Sequence, residues 1–191
     1  MKHLNYRCLI LNSDFSPLAL IDWKQAITLD FKGTITTVDF YKDDAIICSS
    51  GVKWPIPAVA ALRKYTHRKV ENTFSRKNIF MRDRLECAYC HTRFKPSELT
   101  YDHVIPRAKW DKKKGTPTCW TNIVTCCYPC NSKKGDKTLK EAKMTINKMP
   151  EMPKHPFVKG IAPWTKLMDE WKPWLPPLYL ELCQNSESGV Q

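Results

Sequence analysis

Cys87-Ala88-Tyr89-Cys90 and Cys127-Tyr128-Pro129-Cys130 share the C-x-x-C spacing, with 36 residues between the two pairs. That spacing lets two thiolates reach one ion from a tight turn, and four thiolates hold zinc tetrahedrally at about 2.3 Å. A zinc with every position filled by protein is structural, a staple for a core too small to bury enough surface alone. Reduced core cysteines and an iron–sulfur site are the competing uses of these residues. Two neighbours complicate the ligand set, since Cys126 adjoins Cys127 and His91 follows Cys90. The matched spacing favours Cys87, Cys90, Cys127 and Cys130 as zinc ligands and leaves Cys119 outside either pair.

The bracketed loop carries a second set. Asp102, His103 and Asn122 lie inside it, and Asn131 follows the last cysteine directly. A carboxylate, an imidazole and two carboxamides are the side chains of a hydrolytic site. Thr100 to Pro106 reads as a strand ended by its proline, and neighbouring residues on a strand point to opposite faces. Asp102 and His103 then suit two jobs, one holding a cation and one activating water. Alone, an Asp-His dipeptide is weak evidence and is usually surface decoration.

The surrounding chain must position these groups. Arg7 to Asn12 reads as a strand ending in turn chemistry at Asn12-Ser13-Asp14 and Pro17. Asp22 looks like an N-cap with Gln25 at the capping-box position, opening a helix through Trp23, Ala26, Ile27 and Phe31 that stops at Gly33. Ile35–Phe40 and Ala45–Cys48 read as two strands of a hairpin around Lys42-Asp43-Asp44. Cys8 and Cys48 sit in apolar runs as small core residues. Pro55-Ile56-Pro57 punctuates the chain, and Ala58 to Tyr65 reads as a helix. Arg63 to Arg84 is strongly basic, with Lys64, Arg68, Lys69, Arg76, Lys77 and Arg82 interleaved with Tyr65, Phe74 and Phe80. Packing beneath the surface is the preferred reading of those aromatics over base stacking. Thr138 and Glu141 form a capping box for a helix to about Asn147. Seven of the fourteen prolines lie at 150 or beyond, which argues against a regular fold there. A short helix over Thr165–Trp171 is one exception, the arm is expected to lie against the N-terminal unit, and 185–191 is expected to be loose.

The expected fold class is α+β: a zinc-stapled ββα core, a small N-terminal α/β unit and a Pro/Trp-rich C-terminal arm. The expected boundaries are 1–60 for the N-terminal unit, 61–79 for a basic connector, 80–148 for the core and 149–191 for the arm.

Charge narrows the class of partner. The net charge is +12, with 26% charged and 42% hydrophobic residues. Residues 61–148 hold 21 Lys and Arg against 8 Asp and Glu, and the remainder holds 10 against 11, so the whole excess lies around the bracketed core. A field so localised favours a polyanion, of which nucleic acid is the commonest. No apolar run approaches the roughly 20 residues of a membrane helix. Residues 1–7 lack the apolar region of a signal peptide. Nine cysteines argue for metal over disulfides in a reducing interior. The expected setting is cytoplasmic, without a membrane partner.

In combination these motifs become specific. Asp102-His103-Val104-Ile105-Pro106-Arg107, then Trp120-Thr121-Asn122-Ile123-Val124, then Cys127-x-x-Cys130-Asn131-x-x-Lys134-Gly135 closely resembles the HNH, or ββα-metal, endonuclease family. The resemblance covers about residues 80–137. More loosely, Leu11-Asn12-Ser13-Asp14-Phe15-Ser16-Pro17-Leu18 resembles the leader of many bacterial and phage HNH proteins. The resemblance implies a general-base role for His103 and a role for Asn122 in fixing the loop that bears it. It also implies a catalytic divalent cation held by Asp102 and Asn131. Oxygen donors favour Mg²⁺ or Mn²⁺ over a second zinc. Arg107, Lys133 and Lys134 are the expected phosphate contacts. The segment Trp110 to Lys114 departs from the compact loop of the family and forms a longer basic one.

The implied activity is hydrolysis of DNA, double-stranded by expectation, with a homodimer if both strands are cut. An RNA-cleaving relative is distinguishable only by substrate assay. A non-catalytic zinc-containing nucleic-acid-binding protein is the alternative; it has no need of Asp102, His103, Asn122 and Asn131 together.

Overall fold

The structure is a computed structural model that describes residues 6–47, 51, 53–67 and 72–184. Cys48, Arg68, Lys69, the first five residues and 185–191 lie outside the described residues. The chain divides into two compact units. One comprises 1–69, 157–161 and 166–180; the other comprises 70–156, 162–165 and 181–191.

The first unit is built on a four-stranded sheet of Arg7–Leu11 (β1), Pro17–Asp22 (β2), Ile35–Ile47 (β3) and Lys53–Leu62 (β4), in the order β2-β1-β4-β3. β1 runs antiparallel to β2 and parallel to β4, while β3 and β4 form an antiparallel pair. The helix Trp23–Phe31 (α1) starts where Asp22 accepts a hydrogen bond from Lys24 N and ends at Lys32 beside Gly33. Cys8, Ile10, Ala26, Ile35 and Ala60 make a core, joined by Leu18, Ile21, Leu29 and Leu62. Residues 157–161 extend the unit at β2: Lys159 exchanges backbone hydrogen bonds with Leu18 and Leu20 at 3.0 and 2.8 Å. Gly160, at φ +91°, permits that approach, because a Cβ there would lie 3.1 Å from Leu20 Cβ. Trp171, within a 3-10 turn over Asp169–Trp174, is buried and donates from Nε1 to Ala58 O.

Several expectations are corrected in this unit. Lys42-Asp43-Asp44 is no hairpin turn; β3 runs through it, with register shifts between Phe40 and Ala45 against β4. Ala58 to Leu62 is strand rather than helix. Between β1 and β3 the small side chains Ala58, Val59, Ala60 and Ala61 are all buried, and two-sided pairing overrides the helix preference of alanine. Pro55 and Pro57 fit because β1 pairs only with Val59–Ala61, further along. β2 is a strand that the turn signals around Pro17 conceal.

The second unit holds the cysteine-bracketed region. Arg76–Arg82 (α2), capped by Ser75, buries Ile79, Phe80 and Met81 and packs on Ile123–Cys127 (β6). β6 pairs antiparallel with Leu99–His103 (β5), setting Asp102 opposite Val124 and His103 opposite Ile123. Tyr128–Lys134 (α3) follows β6 directly, with Pro129 in its first turn. The outer edge of β6 is not left bare. Thr125 N donates to Asp83 at 2.8 Å, Ala88 N donates to Thr125 O at 2.9 Å, and Arg82 donates to Ile123 O at 2.6 Å. Of the basic-stretch aromatics, Phe80 is buried, Phe74 meets Trp120 edge-on, and Tyr65 is exposed.

The capping box at Thr138 and Glu141 opens a helix of only Leu139–Ala142 (α4), because Lys143 takes a left-handed conformation. Near the end of the chain, Pro177–Gln184 (α5) is a helix where the proline count argued for none. Pro177 stands at its first position, where no N–H is missed. Among the described residues no helix is long and apolar enough to cross a membrane.

Candidate active site

The two cysteine pairs are brought together from different elements. The first lies on a turn closed by His91 N donating to Cys87 O at 2.9 Å, with His91 at a left-handed φ of 56°. The second opens at the end of β6 and finishes in the first turn of α3. The Sγ atoms of Cys87, Cys90, Cys127 and Cys130 all lie within 4.8 Å of one another. A tetrahedral zinc with bonds of about 2.3 Å needs sulfurs spaced roughly 3.8 Å apart, so the group fits a zinc site. Burial opposes ionisation of Cys90, but hydrogen bonds to Thr92, Cys87 and Cys130 bring its thiol down to about 7. Cys126 is buried, and desolvation raises its thiol well above the ordinary range. The ring of His91 lies beside Glu86 and Asn147, outside the sulfur group.

His103 closes β5, half-buried. Its Nε2 shares a hydrogen bond with Thr118 Oγ1 at 3.0 Å, and Arg107 Nε donates toward the same nitrogen at a longer 3.4 Å. Burial lowers the imidazole pKa below its ordinary value; Arg107 and Lys134 lower it further, and Asp102 opposes them. The lowered pKa favours the neutral imidazole, which is the state a general base requires.

Asn122 is almost wholly buried and clamps the loop after His103. Its Oδ1 accepts from Ile105 N at 2.8 Å, and its Nδ2 donates to Ile105 O and Pro117 O, each at 3.0 Å. Its own carbonyl accepts from Val104 N. The carboxamide therefore grips main chain on both sides of the loop, rather than the imidazole itself.

Asp102 points the other way, as strand alternation requires. Its Oδ2 accepts from the Tyr89 hydroxyl and lies 2.7 Å from Lys134 Nζ. The expectation of Lys134 as a phosphate contact is corrected here. Its side chain is fully buried, and its ammonium bonds Asp102 and donates to His103 O at 2.7 Å. Lys133 and Arg107 remain exposed. Asn131 lies three residues before Lys134 on α3, so the two share a helix face, and α3 packs on β5. The Asn131 carboxamide makes no hydrogen bond among the described residues.

Tyr89 and Thr118 were invisible as site residues in the sequence. Tyr89 had only its place between two cysteines to suggest a role, and Thr118 sits in an irregular Thr-Pro-Thr stretch. The burial of Lys134 was equally hidden, because lysines are almost never fully buried unless paired.

Two family models match the chain. Residues 87–147 match the HNH endonuclease family, and residues 8–70 match the HNH endonuclease-associated N-terminal domain. The chain thus carries an HNH endonuclease domain over residues 87–147, preceded by an HNH endonuclease-associated N-terminal domain, and its four-cysteine group fits a zinc site. Neither a curated protein nor a solved structure matches it.

Proposed function

We propose that the protein is a metal-dependent endonuclease that hydrolyses phosphodiester bonds in double-stranded DNA. The observation that carries the reading is the setting of His103: a half-buried imidazole with a lowered pKa, its Nε2 between Thr118 Oγ1 and Arg107 Nε, at the end of a strand whose following loop Asn122 clamps. From there it takes the proton of the attacking water. Asn122 keeps the loop from swinging, and Lys134 holds the carbonyl of the same histidine, so the base meets the water without a cost of ordering.

Asp102 and Asn131 offer the oxygen donors for Mg²⁺ or Mn²⁺; the hard-donor set fits such an ion, and the free carboxamide of Asn131 supports its part. When bound, the ion supplies charge stabilisation at the phosphate and at the leaving oxygen. Arg107, exposed beside the base, and Lys133, exposed on α3, hold the flanking phosphates. The basic Lys112–Lys114 turn extends that surface. One such site nicks a single strand, so a double-strand cut requires a second copy. Reduced thiolates around zinc support a cytoplasmic setting.

The test is nicking of supercoiled plasmid with Mg²⁺ by the parent protein and by His103→Ala and Asn131→Ala. Loss in both variants supports the assignment. Salt-sensitive DNA binding by the parent, without cleavage under any divalent metal, would instead show a non-catalytic zinc-containing nucleic-acid-binding protein.

A further inference from the structure

The carboxylate assigned to the catalytic cation already has a cation. Lys134 Nζ sits 2.7 Å from Asp102 Oδ2, with the lysine fully buried and the aspartate one-tenth exposed. Tyr89 donates to the same oxygen, so Oδ2 is taken twice, and Oδ1 carries no hydrogen bond among the described residues. Asn131 contributes a neutral donor. The charges at the proposed metal site are therefore one negative from Asp102 and one positive from Lys134, with the Arg107 guanidinium nearby at His103. The two donor side chains, with Lys134 in place, carry no net charge of their own with which to attract a divalent ion.

We infer that Lys134 acts as a built-in counter-ion to Asp102, so that the catalytic cation is captured together with the phosphates of the nucleic acid and only weakly without them. The inference rests on the proposed assignment of Asp102 and Asn131 as metal donors. A cation of this kind binds through one or two carboxylates and relies on substrate phosphates for the rest of its ligation. With Asp102 neutralised by its neighbour, the phosphate supplies the missing negative charge. Lys134 is a positioning residue: it acts through Asp102 and has no surface from which to touch substrate. It cannot easily leave, because α3 directs it into the β5 strand and His103 O binds the same ammonium at 2.7 Å. Metal recruitment thus becomes a consequence of DNA binding, which keeps the hydrolytic centre unloaded between encounters.

The experiment is Mn²⁺ binding to the zinc-loaded full chain, read by the loss of the free-ion electron paramagnetic resonance signal. It is run without DNA and with a short phosphorothioate duplex that resists cleavage, using the parent, Lys134→Met and Tyr89→Phe. The parent is expected to bind Mn²⁺ at least roughly tenfold more tightly with the duplex than without it. Lys134→Met is expected to gain a similar factor in the absence of DNA, whereas Tyr89→Phe, which changes no charge, changes affinity by less than about threefold. The comparison with and without DNA needs no variant and tests the joint capture. Lys134→Gln, which keeps a hydrogen-bond donor, tests the counter-ion by the same gain in DNA-free affinity if Lys134→Met does not fold; no gain in a folded variant would overturn it. Equal affinity of the parent in the two conditions would overturn the inference while leaving Asp102 and Asn131 as metal donors. A parent that binds the duplex but takes up no Mn²⁺ in either condition would overturn the metal assignment itself.

Discussion

Lys134 Nζ and Asp102 Oδ2 stand 2.7 Å apart in a buried ion pair that ties α3 to β5. The lysine also holds the carbonyl of His103, so one ammonium fixes the side chain of one residue and the main chain of the next. Taking one partner from such a pair leaves a charge stranded away from water. Lys134→Met is expected to destabilise the protein by about 3–5 kcal/mol, and Lys134→Met combined with Asp102→Asn to recover most of the loss. Urea melts of the single and double variants check this.

Asn122→Ala removes three hydrogen bonds and strands the Ile105 and Pro117 groups that they satisfied. The expected cost is about 2–4 kcal/mol by thermal melting. The rate of DNA nicking should fall further than the folded fraction does, because the released loop carries the base. Asn122→Asp should do no better, since a carboxylate cannot donate to either carbonyl.

The pH profile follows from the environment of His103. Its native pKa is depressed, first by burial and then by Arg107 and Lys134, from an unfolded value of about 6.5. Neutral imidazole therefore persists below pH 6.5 in the folded protein, and the acidic limb of the single-turnover rate should lie below that value. The unfolded chain takes the proton first, so the stability linked to this group is present above pH 6.5 and is lost as pH falls toward the native pKa. Arg107→Gln should move the acidic limb upward, stopping short of 6.5 because burial remains. Quench-flow rates between about pH 5 and 8 decide it.

Zinc should be present at about one equivalent by elemental analysis, as expected for a single closed four-thiolate centre. Chelation should remove amide-exchange protection from β5, β6 and α3 while β1 and β4 in the other unit keep theirs. Cys130→Ser should reproduce the effect of the chelator. Hydrogen exchange resolved by peptide distinguishes this local loss from global unfolding.

What the sequence disclosed depended on how far apart the interacting residues lie. The C-x-x-C turns, the strand character of Thr100–His103 and the proline in the first turn of α3 are local features, and their spacing carried them, although the strand stops at His103 and not at Pro106. Ala58 to Leu62 misleads because its partners Leu9–Leu11 and Ile35–Asp39 come from distant segments, and only their pairing makes it a strand. Lys134 is the same lesson at the site. A lysine in a basic run looks like a surface charge until the fold brings Asp102, 32 residues earlier, against it. Pro177 shows the opposite error, since a proline counted against order is a helix starter when it stands at the first position.

The Arg82–Asp83 pair has a consequence for assembly. By occupying Ile123 O and Thr125 N, with Ala88 on Thr125 O, it leaves β6 no main-chain groups there with which to receive another strand. A second copy of the chain cannot extend this two-stranded sheet across β6 by adding a ribbon to it. Any pairing of two molecules to cut both strands of a duplex must therefore be made elsewhere than along this edge of β6.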